Sequence, residues 1–64
     1  MKAFLQKAID RKLKVAVYIF PNKRDVNVLH GIVESFDDVG ITLNENEFIS
    51  AIPFSSIIRV REEM

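Results

Sequence analysis

The chain has 64 residues, with nine basic and nine acidic side chains, one histidine, no cysteine and a hydrophobic content of 48%. At this length one domain is expected, burying only about 60% of the surface its unfolded chain exposes, so its private core is thin. Disulfides and thiolate metal sites are excluded, a lone histidine cannot complete a zinc shell, and no apolar run approaches the roughly 20 residues of a membrane span.

The apolar content exceeds what so small a monomer hides easily, and oligomerisation is the expected remedy. The start, MKAFLQKAIDRK, lacks the uninterrupted apolar segment of a secretory signal. The expected location is therefore the cytoplasm, and the absence of cysteine fits a reducing compartment without proving one. The zero net charge conceals a split: residues 1–24 hold seven basic side chains and one acidic, residues 25–64 two basic and eight acidic. Such a division gives a folded particle a positive region suited to a phosphate-bearing partner, or simply cancels across an ordinary surface.

Phe4, Leu5, Ala8 and Ile9 form one apolar stripe at helical spacing, with Lys2, Lys7, Asp10 and Arg11 outside it. Residues 2 to about 12 are therefore read as a short amphipathic helix, Arg11 and Lys12 complementing the negative end of its dipole. From Leu13 the period becomes two, and residues 13–20 read as a strand with β-branched and aromatic side chains on both faces. Pro21 ends it, and PNKRD supplies turn chemistry. Further strands are expected at about 26–35, 39–43, 48–52 and 57–60, with the polar NENE segment as a hairpin link. The layout is mostly β: an N-terminal helix followed by a five-stranded, strongly bent antiparallel sheet or open barrel, in a single domain spanning 1–64.

Residues suited to catalysis are few. His30 is the only histidine and lies inside a strand, which favours a structural or surface hydrogen-bonding role. Glu34, Asp37 and Asp38 cluster at a turn and offer water-mediated magnesium binding, but an aspartate there more often accepts backbone amides. Neither a Gly-rich phosphate loop nor a paired acid and base is found, so the chain reads as no enzyme, with no metal and no cofactor.

Gly31 stands in the middle of the most strand-like run, LHGIVESFDDVGITL. A glycine there relieves a collision with a neighbouring backbone where the strand must curve. Phe36 then plugs the barrel end, and Asp37 fixes the following turn. The series Leu29, His30, Gly31, Ile32, Val33, Glu34, Ser35, Phe36, Asp37 resembles the first motif of the Sm-like family, whose bacterial branch is Hfq, and the resemblance covers roughly residues 4–60.

That resemblance implies a homo-oligomeric ring of about five to seven subunits, closed by pairing the fourth strand of one copy with the fifth of the next. Phe48, Ile49, Ile52, Ile57, Ile58 and Val60 are the interface residues it implies. It also implies binding of single-stranded RNA, with Tyr18 matching a strand tyrosine that stacks purines on the face away from the helix. Lys7, Arg11, Lys12 and Lys14 offer electrostatic attraction or a merely solvated face, and Lys23 and Arg24 a loop that reaches a partner or keeps itself soluble. The chain departs from the family pattern in carrying Val39 where an aromatic stacks uridine and IPFSS where the second motif has Tyr-Lys-His. No uridine pocket is therefore assigned to any residue, and a ring kept as a protein-interaction or assembly module, without RNA, is the alternative.

Overall fold

The structure, a computed structural model, describes residues 1–20 and 26–63. Its elements in chain order are α1 (Lys2–Arg11), β1 (Lys14–Ile19), β2 (Asn27–Phe36), β3 (Gly40–Glu45), β4 (Phe48–Pro53), a 3-10 turn at Phe54–Ser56, and β5 (Ile57–Glu62). The strands form one antiparallel sheet in the order β4-β3-β2-β1-β5. Among the described residues, no helix is long and apolar enough to cross a membrane.

The helix ends at Arg11 because Lys12 turns into the left-handed region, φ 52°, and the Leu13 amide donates back to Ala8 O at 2.9 Å while that of Lys12 donates to Ile9 O at 3.2 Å. This is a Schellman stop, usually made by glycine. Two more residues of this kind, Asn46 (φ 53°) and Glu47 (φ 85°), make the two-residue link between β3 and β4. Two positive φ angles there give the type I′ geometry that fits the strand twist, with Glu47 where glycine is preferred. A side chain in this region costs about 1 kcal/mol. Lys12→Gly and Glu47→Gly are each therefore expected to raise the melting temperature by a few degrees, with no change in the far-UV circular dichroism spectrum.

Leu5 and Ala8 of α1 bury one face of the sheet, joining Val15 and Val17 of β1, Val33 of β2, Ile41 and Leu43 of β3 and Ile52 of β4 in one core. Phe36 joins this core only because β2 contains a bulge. The register runs Val33 opposite Leu43 and then Ser35 opposite Thr42, leaving Glu34 as an extra residue. Strict alternation from Leu29 and Val33 would send residue 36 to the opposite face; the bulge reverses the parity, so Phe36 lies opposite Ile41 and packs on the core.

Both glycines sit where another backbone comes too close for a side chain. A Cβ on Gly31 would collide with the carbonyl oxygen of Asn44, and one on Gly40 with that of Ile52, 2.7 Å also separating it from Pro53 Cα. β2 is thereby shared between neighbours: residues 27–32 pair with β1, and 32–36 with β3.

The turn after β2 is set by Asp37. Its Oδ1 accepts the amides of Val39 at 2.8 Å and Gly40 at 3.0 Å, and its own amide donates to Gly40 O. These amides hold the Asp37 carboxyl below its ordinary value of 3.8, Gly40 contributing most and Val39 next. A lowered folded-state value means that the turn's stabilisation is complete above pH 3.8 and disappears as pH falls through the lower folded value. In acid titrations followed by circular dichroism, Asp37→Asn, which keeps an acceptor oxygen without the charge, is expected to flatten the stability loss below that pH.

Candidate nucleic-acid interface

Residues directly opposite one another in an antiparallel sheet share a face. On β1, Val15, Val17 and Ile19 point toward the helix, so Lys14, Ala16 and Tyr18 occupy the other face. Opposite them stand Ile32, His30 and Val28 of β2, and Arg61 and Arg59 of β5 lie opposite Ala16 and Tyr18. The helix-free face therefore carries a row His30–Ala16–Arg61 and, roughly 7 Å along the strands, a row Val28–Tyr18–Arg59.

Tyr18 is half-buried, and the guanidinium carbon of Arg59 lies 6.0 Å from its ring centroid, the outer limit of a cation–π contact. Ala16, only 4% exposed, forms the floor of a depression of about 280 Å³ beside the ring. At its edge His30 Nδ1 meets Glu63 Oε2 at 2.9 Å, a strand-to-tail clasp across 33 positions of sequence.

This arrangement regroups the basic residues. Lys14 shares the face of Tyr18, while Lys7 and Arg11 are exposed on the helix, across the sheet from that ring, and Lys12 serves as the helix stop. The cations beside Tyr18 are Arg59 and Arg61, which the sequence reading did not single out. Their period-two placement in IIRVR is the one local signal they give; that it faces Tyr18 follows only from β1–β5 pairing. Lys23 and Arg24 lie outside the described residues.

The three carboxylates considered for magnesium are separately engaged. Glu34 accepts from Asn44 Nδ2 at 3.0 Å, Asp37 holds its turn, and Asp38 meets Lys2 at 3.1 Å. The Lys2–Asp38 pair is exposed on both sides, so its contribution to stability is small. Near the same turn a shallow groove of about 340 Å³ is walled by Phe36, Val39, Ile52 and Pro53, with Ser35 and Thr42 as its neutral polar members.

The two outer strands, β4 and β5, each pair on one side only among the described residues. The Phe54 amide donates to Val39 O at 2.8 Å, which makes 41/52, 43/50 and 45/48 the hydrogen-bonded pairs of the β3–β4 ladder. The amides and carbonyls of Ile49 and Ala51 therefore point away from the sheet. Pro53, opposite Gly40 in a non-bonded pair, loses no ladder bond by lacking an amide hydrogen. By the same reasoning the Glu63 amide, donating to Lys14 O at 2.9 Å, leaves Val60 and Glu62 of β5 facing outward.

Phe48 is 76% exposed, Ile49 62% and Ile58 46%, so both edges carry uncovered apolar side chains. Ile57 and Val60 are partly packed on the core. Ile52 was expected at a subunit interface, but its side chain is buried at 6% exposure, because it lies opposite Ile41 on the helix-covered face. Compared with known proteins, the chain matches no family model and no curated protein sequence.

Proposed function

We propose that this chain is a binding module, not an enzyme: an Sm-like subunit that joins copies of itself edge to edge into a closed ring and holds single-stranded RNA on the helix-free face, as a cytoplasmic chaperone or regulator of RNA. The observation that carries the reading is Tyr18 beside two arginines of the neighbouring strand β5, Arg59 at 6.0 Å from its ring and Arg61 one row away. Aromatic rings on which bases stack, interleaved with cations that follow the phosphates, are the physical requirements of single-strand binding. Edge pairing is supported by the outward amides of β4 and β5 and by the exposed Phe48, Ile49 and Ile58, since an uncovered apolar edge is a template for another strand.

The test is fluorescence anisotropy with A-rich and U-rich oligoribonucleotides at two salt concentrations. Tyr18→Ala is expected to weaken binding about tenfold or more, the loss of one base–aromatic stack. Arg59→Ala should reduce the salt dependence. Salt-insensitive or absent binding at micromolar protein sinks the RNA reading. It would leave the assembly-module alternative, which the groove at Val39 and Pro53 favours because its lining is mainly apolar and offers no cation to a phosphate.

A further inference from the structure

The depression beside Tyr18 has a lining that an unselective RNA platform does not require. Its walls are Ala16, Tyr18, His30, Arg61, Glu62 and Glu63, and its volume of about 280 Å³ lies just below the usual range for small-molecule sites. It is sized for a single ring system. Electrostatic attraction for a polyanion calls for cations alone, yet the carboxylate of Glu63 stands at this rim. Glu63 is held there by His30 at 2.9 Å, and its amide is tied to Lys14 O, so the carboxylate is anchored at both the backbone and the side chain.

We infer that this socket selects guanine, with the base against the Tyr18 ring above Ala16, the Glu63 carboxylate on its Watson–Crick edge and Arg61 on its O6/N7 side. The inference rests on the RNA reading above and adds the identity of the base.

The chemistry distinguishes the four bases. A carboxylate only accepts, and it pairs best with two adjacent donors. Guanine presents N1–H beside the N2 amino group. Adenine and cytosine each place a ring-nitrogen acceptor beside their amino group, and uracil has one N–H between two carbonyls, so each of these sets a lone pair against the carboxylate. Arginine opposite O6 and N7 completes the recognition, because those two acceptors belong to guanine and match the guanidinium fork. Arg61 and His30 flank Ala16 directly in register, one on each neighbouring strand, and the Glu63 carboxylate lies at the His30 ring, so donor and acceptor stand apart across the socket. A larger residue at position 16 would fill the floor on which this depends.

The experiment compares three probes of about 12 nucleotides: oligouridine with guanosine, adenosine or inosine at every third position, each titrated by anisotropy against the intact chain. Inosine lacks only the N2 amino group. Guanosine is expected to bind about threefold more tightly than inosine, which loses one of the two bonds, and about tenfold more tightly than adenosine, the discrimination typical of a two-bond contact. Glu63→Gln, at the surface, is expected to reduce that gap to about twofold while leaving the circular dichroism spectrum unchanged, and Ala16→Leu to remove it by occupying the socket. Equal binding of the three probes overturns the guanine assignment and leaves RNA binding standing, as does a guanosine preference that survives Glu63→Gln. If none of the probes binds, the RNA reading fails and the base assignment falls with it.

Discussion

Replacing Ala51 by proline is expected to reduce the proposed ring to single subunits that remain folded. The amide of Ala51 points away from β3, so its loss takes nothing from the chain's own ladder, while it removes one donor from the free edge and places a ring where a second strand must approach. The neighbouring substitution Ile52→Pro is the opposite case. That amide belongs to the hydrogen-bonded pair with Ile41 and its side chain is in the core, so it should unfold the protein. Native mass spectrometry with circular dichroism separates the outcomes: a folded monomer for Ala51→Pro supports edge-to-edge assembly. A wild-type chain that is already monomeric at working concentration defeats the ring. Retention of the ring by Ala51→Pro shows that subunits join elsewhere.

Like Gly40→Ala at the other close backbone approach, Gly31→Ala is expected to be strongly destabilising for a single-methyl change. The added carbon meets the Asn44 carbonyl, a backbone group fixed in the ladder between β2 and β3, and cannot be accommodated by turning a flexible side chain. Overpacking of this kind costs about 1–3 kcal/mol, against a total stability of roughly 3–10 kcal/mol for a domain of this length. A loss of about 10 °C in melting temperature is the expected reading, since 1 kcal/mol moves a small domain by about 4–8 °C. Differential scanning calorimetry checks it, and a change of less than about 2 °C would show that the β2–β3 crossing opens more readily than the structure indicates.

The two variants probe different levels of organisation. Gly31 lies where two strands of one chain press together, and Ala51 on a strand edge that pairs with nothing among the described residues. The exposed Phe48 and Ile49 beside Ala51 also make this edge an aggregation hazard in any variant that stops the ring from closing. Charged replacements at Phe48 are accordingly the prudent companion to Ala51→Pro in solution studies.

The local elements were written in the chain. The stripe Phe4, Leu5, Ala8 and Ile9 specifies a helix resting on one face, and period-two runs specify five strands whose observed limits differ from the expected ones by at most two residues. Expected and observed limits part most at Glu45, which β3 retains by closing its hairpin through two residues instead of four, and at the end of β5, which runs on to Glu62; at Lys12 left-handed backbone stops the helix one residue early. Such details turn on individual φ angles, which hydrophobic periodicity does not encode.

The amino-acid order by itself thus determined the helix, the strands and the glycine-marked approach, because these depend on residues a few positions apart and on which side chains avoid water. Only the tertiary structure decided that Arg59 and Arg61 are the cations beside Tyr18, that Lys7 and Arg11 lie across the sheet from it, and that Glu63 reaches His30. Those relations depend on the pairing of β1 with β5, between segments some 40 residues apart in the chain, and on single-residue bulges at Glu34 and beside Ile58 that set which side chains share a face. A one-residue change of register leaves the local pattern intact and exchanges the faces, so the composition of the site is a property of the folded sheet.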